Sequence, residues 1–111
     1  MIADAPVFPT TLTHFAGQEI ASLVKQFGTP LYVYDAAMLA RRIADLAAFD
    51  VVRYAQKACS NLAMLDRARR AGVVVDAVSA GEVRRALAAG FNPHGEVPGI
   101  VYTADIFDRE S

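Results

Sequence analysis

The chain has 111 residues, with 11 Lys and Arg against 12 Asp and Glu, so its formal net charge is −1. This balance excludes the basic surface of a nucleic-acid-binding protein and a polybasic membrane patch, and a single cysteine excludes an internal disulfide. No apolar run is long enough to cross a bilayer and the N-terminus lacks the pattern of a signal peptide, so we expect a soluble, cytoplasmic protein with no membrane or nucleic-acid partner.

The first part of the chain predicts an arm, a helix and a strand. Residues 1–17 contain two prolines and show no periodicity, which is typical of an irregular arm. Apolar residues recur at helical spacing from Gln18 to Phe27, and Gly28 is suited to end this helix. The β-branched and aromatic segment from Leu31 to Tyr34 predicts a short strand.

A helix and a repeating strand–helix unit follow. The predicted elements are, in order, the helix Ala36 to Ala48 with Asp35 as its N-cap, the strand Val51 to Lys57, the helix Asn61 to Ala71, the strand Val73 to Val78, the helix Ala80 to Ala89 and the strand Ile100 to Ala104. Helix-length connections require the three strands to be parallel neighbours in that order, and continuous apolar pairs indicate strands that are covered on both faces.

This repeat predicts the α/β class and, within it, part of a (β/α)8 barrel. Three parallel strands leave two sheet edges open, and the unpaired backbone groups at those edges are unfavourable in a complete domain. The sequence stops at Ser111, where a third helix is expected to begin. We therefore expect residues 35–111 to be about the first three units of a longer barrel.

Lys57 lies at the turn between a predicted strand and a helix, the edge at which parallel α/β folds carry their chemistry. A desolvated lysine there has a neutral amine that attacks aldehydes and forms a Schiff base. The alternative is a surface lysine that begins an ordinary loop, and position alone favours that alternative.

Asp76 is expected at the same edge, on the adjacent strand about 4.8 Å away. Its carboxylate can hold the ammonium group of Lys57 or can accept hydrogen bonds from nearby backbone amides, and both interpretations stay open. Ser79 and Glu82 have the spacing of a capping box, which we favour over a role in chemistry. Gly81 indicates close backbone approach at a crowded helix start. Neither histidine has partners at metal-ligand spacing, so no metal site is predicted.

The segment Tyr54-Ala55-Gln56-Lys57-Ala58 resembles the Y-A-x-K-A signature of the pyridoxal-phosphate-dependent decarboxylases and racemases of the alanine racemase-like barrel fold. The longer run from Phe49 to Asn61 is similar to the diaminopimelate decarboxylases among them. The run from Asp76 to Glu82 resembles their D-x-x-S-x-G-E motif.

This resemblance implies a role for each part of the chain. Lys57 would be the catalytic lysine that binds pyridoxal 5′-phosphate covalently, with Asp76 as a further cofactor-binding residue. Residues 1–34 would belong to a second, β-rich domain. The full-length enzyme would be a homodimer that decarboxylates meso-diaminopimelate to L-lysine, the last step of lysine biosynthesis by that route. Because the family's phosphate site lies downstream of this segment, the 111-residue chain is expected to be inactive alone.

Three alternatives stay open at this point. The first is a decarboxylase for another basic amino acid, ornithine or arginine, on the same barrel. The second is a non-catalytic barrel that binds pyridoxal phosphate, although the predicted strand Leu31 to Tyr34 speaks against it. The third is an α/β interaction segment without a cofactor.

Overall fold

A computed structural model of the chain describes residues 11–106. Its backbone contacts divide the chain into two compact units, Met1–Asp35 and Ala36–Ser111. Part of the predicted irregular arm and all of the predicted third helix lie outside the described residues. No helix within residues 11–106 combines the length and the apolar character that a membrane span requires.

The described part of the first unit contains a small hairpin and one helix. The strands β1 (His14–Phe15) and β2 (Gln18–Glu19) pair antiparallel, and helix α1 (Ile20–Phe27) follows at once. The predicted helix therefore begins two residues late, because Gln18 and Glu19 pair with β1. Its predicted end is confirmed, since Gly28 has a φ of 80° and donates its N–H to the carbonyl of Val24 at 2.8 Å.

The strand predicted from Leu31 to Tyr34 is wrong for this chain. The segment has no strand assignment, and within residues 11–106 no other strand pairs with it. Its four side chains are 37–86% exposed, with Tyr32 at the upper limit. β-branched and aromatic residues favour extended backbone, but a strand also needs the backbone of a neighbouring strand.

The second unit consists of a parallel sheet and its connecting helices. Its elements are α2 (Ala36–Ala44), β3 (Arg53–Ala55), a single 3-10 turn (Gln56–Ala58), α3 (Leu62–Arg70), β4 (Val74–Ala77), α4 (Ala80–Ala88) and β5 (Ile100–Tyr102). The sheet order is β3-β4-β5 with both pairs parallel, which confirms the predicted order and direction. The α/β class is therefore confirmed.

Several predicted elements of the second unit end early, including the last strand, which stops at Tyr102 instead of Ala104. Helix α2 stops at Ala44 instead of Ala48, because the next residues form tighter turns with hydrogen bonds between residues three positions apart. One of these bonds runs from the N–H of Leu46 to the carbonyl of Ile43 at 3.0 Å. The strand expected to reach Lys57 stops at Ala55, where the 3-10 turn begins.

The helices cover one face of the sheet. The core cluster on this face is formed by Leu65, Val75, Ala86 and Phe91, and Tyr54, Ala89 and Ile100 pack against it. Side chains alternate between the faces of a strand, so the register places Arg53, Ala55, Val74 and Asp76 on the opposite face. Arg53 and Ala55 are exposed, so the helices cover one face of the sheet in the described part of the chain, and cover on both faces stays a prediction for the longer barrel.

An ion-pair network lies on helix α3. The two carboxylate oxygens of Asp66 accept hydrogen bonds from Arg69 at 2.8 Å and from Arg70 at 2.7 Å. The hydrogen bond from Arg69, and then that from Arg70, lowers the pKa of Asp66 below its ordinary value of 3.8. These pairs add to the stability of the helix while Asp66 is ionised.

Candidate functional site

Lys57 lies in the middle of the 3-10 turn that follows β3, at the carboxyl end of the parallel sheet, and its side chain is exposed. The N–H of Cys59 closes this turn on the carbonyl of Gln56 at 3.1 Å, and the hydroxyl of Ser60 donates to the same carbonyl at 3.2 Å. The lysine thus projects from a short, internally hydrogen-bonded turn, which we call the Lys57 turn (residues 56–60).

Tyr54 supports this turn from the strand below it. Its ring packs against the core cluster, and its hydroxyl donates to the carbonyl of Cys59 at 3.0 Å. Tyr54 therefore joins the core-facing side of the strand to the turn that carries the lysine. Cys59 is half-buried, and its backbone forms hydrogen bonds at both the N–H and the carbonyl.

Helix α4 holds the same turn from the other side. The amide nitrogen Nε2 of Gln56, which is fully buried, donates to the carbonyl of Glu82 at 2.8 Å. The guanidinium of Arg85 donates to the carbonyl of Ser60 at 3.1 Å. One bond joins the turn just before Lys57 and the other joins it three residues after.

Asp76 lies at the same edge as Lys57, as predicted. Its Cα is paired with that of Ala55, two residues before the lysine. The carboxylate accepts a hydrogen bond from the hydroxyl of Thr103, which follows β5 and whose N–H donates to the carbonyl of Ala77 at 3.0 Å. Within residues 11–106 no ion pair joins Lys57 to Asp76, and the hydrogen-bond partner of the carboxylate is a hydroxyl group instead of a backbone amide.

The start of α4 confirms the predicted capping by Ser79 and Glu82, with one change. The N–H of Glu82 donates to the Ser79 hydroxyl at 3.2 Å, as in a capping box. The Glu82 carboxylate, however, accepts from the N–H of Val78 at 2.9 Å, one residue before the N-cap. The expected crowding at Gly81 is wrong among the described residues, since a Cβ there would meet Ser79 Oγ at an ordinary 3.8 Å.

Three residues of this region were missed from the sequence. Thr103 follows β5, and Asp76 lies near the end of β4. Side chains at the carboxyl ends of parallel strands meet at one edge of the sheet, so the reasoning that predicted Asp76 also applies to Thr103. Gln56 lies two residues after the inward-facing Tyr54, and period-2 alternation would have placed it on the buried side. Arg85 carried no signal that set it apart from the other arginines of the predicted helices.

The chemistry available at this edge is a primary amine on Lys57 and a carboxylate on Asp76, each on a separate parallel strand end. The amine can form a covalent bond to an aldehyde, and the carboxylate can balance a positive charge. In the part of the chain that the structure describes, no three His, Cys, Asp or Glu side chains are grouped as metal ligands.

Comparisons with known proteins identify the family to which the chain is similar. Residues 37–111 match the family model described as pyridoxal-dependent decarboxylase, pyridoxal binding domain. The chain is 50% identical over 100 residues to a diaminopimelate decarboxylase of Escherichia coli strain K12, an alignment that covers 90% of this chain and 24% of that protein. It is 49% identical over 109 residues to the diaminopimelate decarboxylase of Streptomyces coelicolor, covering 98% of this chain and 24% of that one.

Solved structures give the same result. A crystal structure of diaminopimelate decarboxylase aligns with a TM-score of 0.80 at 50% identity and covers 85% of this chain and 23% of its own. The structure of AQ1208 from Aquifex aeolicus aligns with a TM-score of 0.69 at 31% identity, covering 84% and 24%. The chain spans about a quarter of the length of these relatives. The resemblance noted around Lys57 is confirmed, and the chain belongs to the pyridoxal-dependent decarboxylase family, with its second unit matching the pyridoxal binding domain.

Proposed function

We propose that this chain forms the first part of a diaminopimelate decarboxylase subunit and that Lys57 binds pyridoxal 5′-phosphate covalently. The observation that carries the proposal is an exposed lysine on a tightly held turn at the carboxyl end of a parallel sheet. This turn lies inside the segment that matches a pyridoxal binding domain. The reaction removes one carboxylate of meso-diaminopimelate as CO2 and replaces it with a proton, which gives L-lysine.

The residues present fit pyridoxal phosphate in kind. Lys57 offers the primary amine that an aldehyde requires, and the exposed Ala55 leaves space beside it on the open face of the sheet. Asp76, held by Thr103, adds a negative charge at the same edge. Bound pyridoxal phosphate supplies the electron sink that stabilises the carbanion at the α-carbon of the substrate.

In this proposal Lys57 provides the amine that binds the cofactor, and Asp76 provides a negative charge at the same edge of the sheet. The nucleophile is the neutral amine, so Nζ of Lys57 has to lose a proton before it forms the bond to the cofactor. The carboxylate of Asp76, which lies at the same edge of the sheet, would balance the positive charge of the Lys57 side chain whenever its amine is not bound to the cofactor. The carboxylate would thus keep Lys57 near the edge of the sheet until product leaves.

The architecture that we propose for the second unit is about the first three units of a (β/α)8 barrel. Both outer strands of the sheet have a free edge among the described residues, and its uncovered face carries Arg53 and Ala55. Closure of a barrel would pair both edges and would turn this face inward. The C-terminal edge that holds Lys57 is then the rim on which such barrels carry their active sites.

The remaining parts of the proposal concern the whole protein. We propose that residues 1–34 belong to a second, β-rich domain and that full-length subunits form a cytoplasmic homodimer. The 111-residue chain alone is expected to be inactive, because a lysine and one carboxylate do not hold the phosphate of the cofactor.

The test is a covalent trap in the full-length subunit. The protein is loaded with pyridoxal phosphate, reduced with borohydride and digested, and the modified peptide is found by mass spectrometry. We expect the label on Lys57, together with turnover of meso-diaminopimelate but not of ornithine or arginine. Lys57→Arg should abolish both, because a guanidinium stays protonated and is no nucleophile.

Lys25 is the matched control, because it is the other lysine of the chain and lies in α1. Lys25→Arg should keep both the label and the turnover. A label on any lysine other than Lys57, or full activity of Lys57→Arg, overturns the assignment. Turnover of ornithine or arginine in preference to meso-diaminopimelate overturns the substrate while leaving the cofactor site in place.

A further inference from the structure

We propose that Gln56 and Arg85 are positioning residues that orient the amine of Lys57 by tying the Lys57 turn to helix α4. The proposal rests on the proposed function, since it takes Lys57 as the residue that binds the cofactor. Neither residue needs to touch the cofactor or the substrate. Each acts through the backbone of the turn.

Gln56 supports this inference through an arrangement that stability alone does not favour. It is fully buried, and its Nε2 donates to the carbonyl of Glu82 at 2.8 Å, but its Oε1 has no hydrogen-bond partner among the described residues. A buried acceptor without a partner costs free energy, so an apolar residue of similar length would suit the core better. What the amide provides is a directional link between the residue next to Lys57 and α4.

Arg85 provides a second, independent link. Its guanidinium reaches the carbonyl of Ser60 at 3.1 Å from the exposed side of α4, whereas Gln56 reaches the helix from the buried side. The two bonds bracket Lys57 along the chain, so the turn cannot rotate about its own axis without breaking one of them.

Helix α4 is a suitable anchor because its start is itself fixed. The side chains of Ser79 and Glu82 form hydrogen bonds with backbone amides at the junction between β4 and α4. That junction follows Asp76 by only a few residues. The two links therefore connect the strand end that carries Lys57 to the strand end that carries Asp76.

A variant can separate positioning from simple packing at Gln56. Gln56→Met keeps the length of the side chain and removes the unpartnered Oε1. Glu82 lies within α4, so its carbonyl retains a hydrogen bond from the residue four positions later in the helix. We therefore expect Gln56→Met to keep a melting temperature close to that of the wild type while it loses the link to α4.

The experiment follows the binding of pyridoxal phosphate to the full-length subunit after the cofactor has been removed. Borohydride quenching at successive times gives the rate at which Lys57 is labelled, and steady-state assays with meso-diaminopimelate give kcat and KM. Gln56→Met and Arg85→Met are compared with Arg41→Met, a matched change at an exposed arginine of α2. A displacement near 1 Å can cost about 100-fold in rate, so we expect labelling and kcat to fall about 10- to 100-fold in the first two variants with KM within about twofold.

The outcomes distinguish this inference from the proposed function. If the wild type is not labelled at Lys57, the proposed function fails and this inference fails with it. If the wild type is labelled there, any folded variant of Gln56 or Arg85 that is labelled within about twofold of Arg41→Met overturns the inference alone. Should Gln56→Met melt far below the wild type, Arg85→Met decides the question, because the exposed arginine can be replaced without disturbing the core.

Discussion

Leu65→Ala tests whether the helix-covered face of the sheet is the core that supports the site. Leu65 is fully buried in α3 and belongs to the cluster with Val75, Ala86 and Phe91. The change removes three carbon atoms, and their transfer to water contributes about 2.4 kcal/mol at about 0.8 kcal/mol per carbon. The cavity that remains raises the expected loss in the free energy of unfolding to about 3–4 kcal/mol.

Leu62→Ala is the matched control on the same helix. Leu62 is 44% exposed, so the same chemical change should cost less than about 1 kcal/mol. Both variants are made in the full-length subunit, and hydrogen exchange of the β4 amides is followed by mass spectrometry as urea is increased. With a urea dependence of about 1–3 kcal/mol per M, Leu65→Ala should lower the midpoint by about 1 M or more. Equal shifts in the two variants would refute the core described above.

Three further predictions concern stability. The isolated 111-residue chain should lack a cooperative unfolding transition, because open sheet edges and an uncovered face leave apolar surface without partners, and a sharply melting soluble monomer would contradict this. Gly99→Ala should destabilise the full-length subunit by about 2 kcal/mol, because a Cβ there would overlap the carbonyl oxygen of Asn92. Gly81→Ala should instead stabilise α4 by about 0.5–1 kcal/mol. Thermal melts should show a lower melting temperature for the first variant and a higher one for the second. Asp66→Asn should lower the melting temperature of the full-length subunit at neutral pH, and the difference from wild type should disappear as the pH falls below 3.8. The reason is that the pKa of Asp66 is lowered in the folded state, so the stabilisation is complete above that value and is lost when the carboxylate is protonated. An equal difference at both pH values would contradict this.

The comparison between sequence and structure is clearest at the two strand ends. The lysine motif and the apolar spacing around it are local signals, and they correctly placed Lys57 and Asp76 at one edge of a parallel sheet. The role of these two residues with the cofactor is still a prediction. The start of α4 was also predictable, because Ser79 and Glu82 act within one turn of the chain.

Several features that depend on a partner distant in sequence were not predictable. The segment from Leu31 to Tyr34 has the composition of a strand, but composition does not provide the second backbone that completes one. The bond from Gln56 to Glu82 joins residues 26 positions apart, and that from Thr103 to Asp76 joins residues 27 apart.

By itself, the sequence determined the α/β class, the order and direction of the strands and the family, because periodicity, turn residues and a short motif are properties of neighbouring residues. Only the tertiary structure decided how the Lys57 turn is held. Its two links to α4 exist because β3 and β4 are parallel neighbours, which brings the turn after β3 beside the helix that follows β4. Such contacts form only after the sheet has assembled.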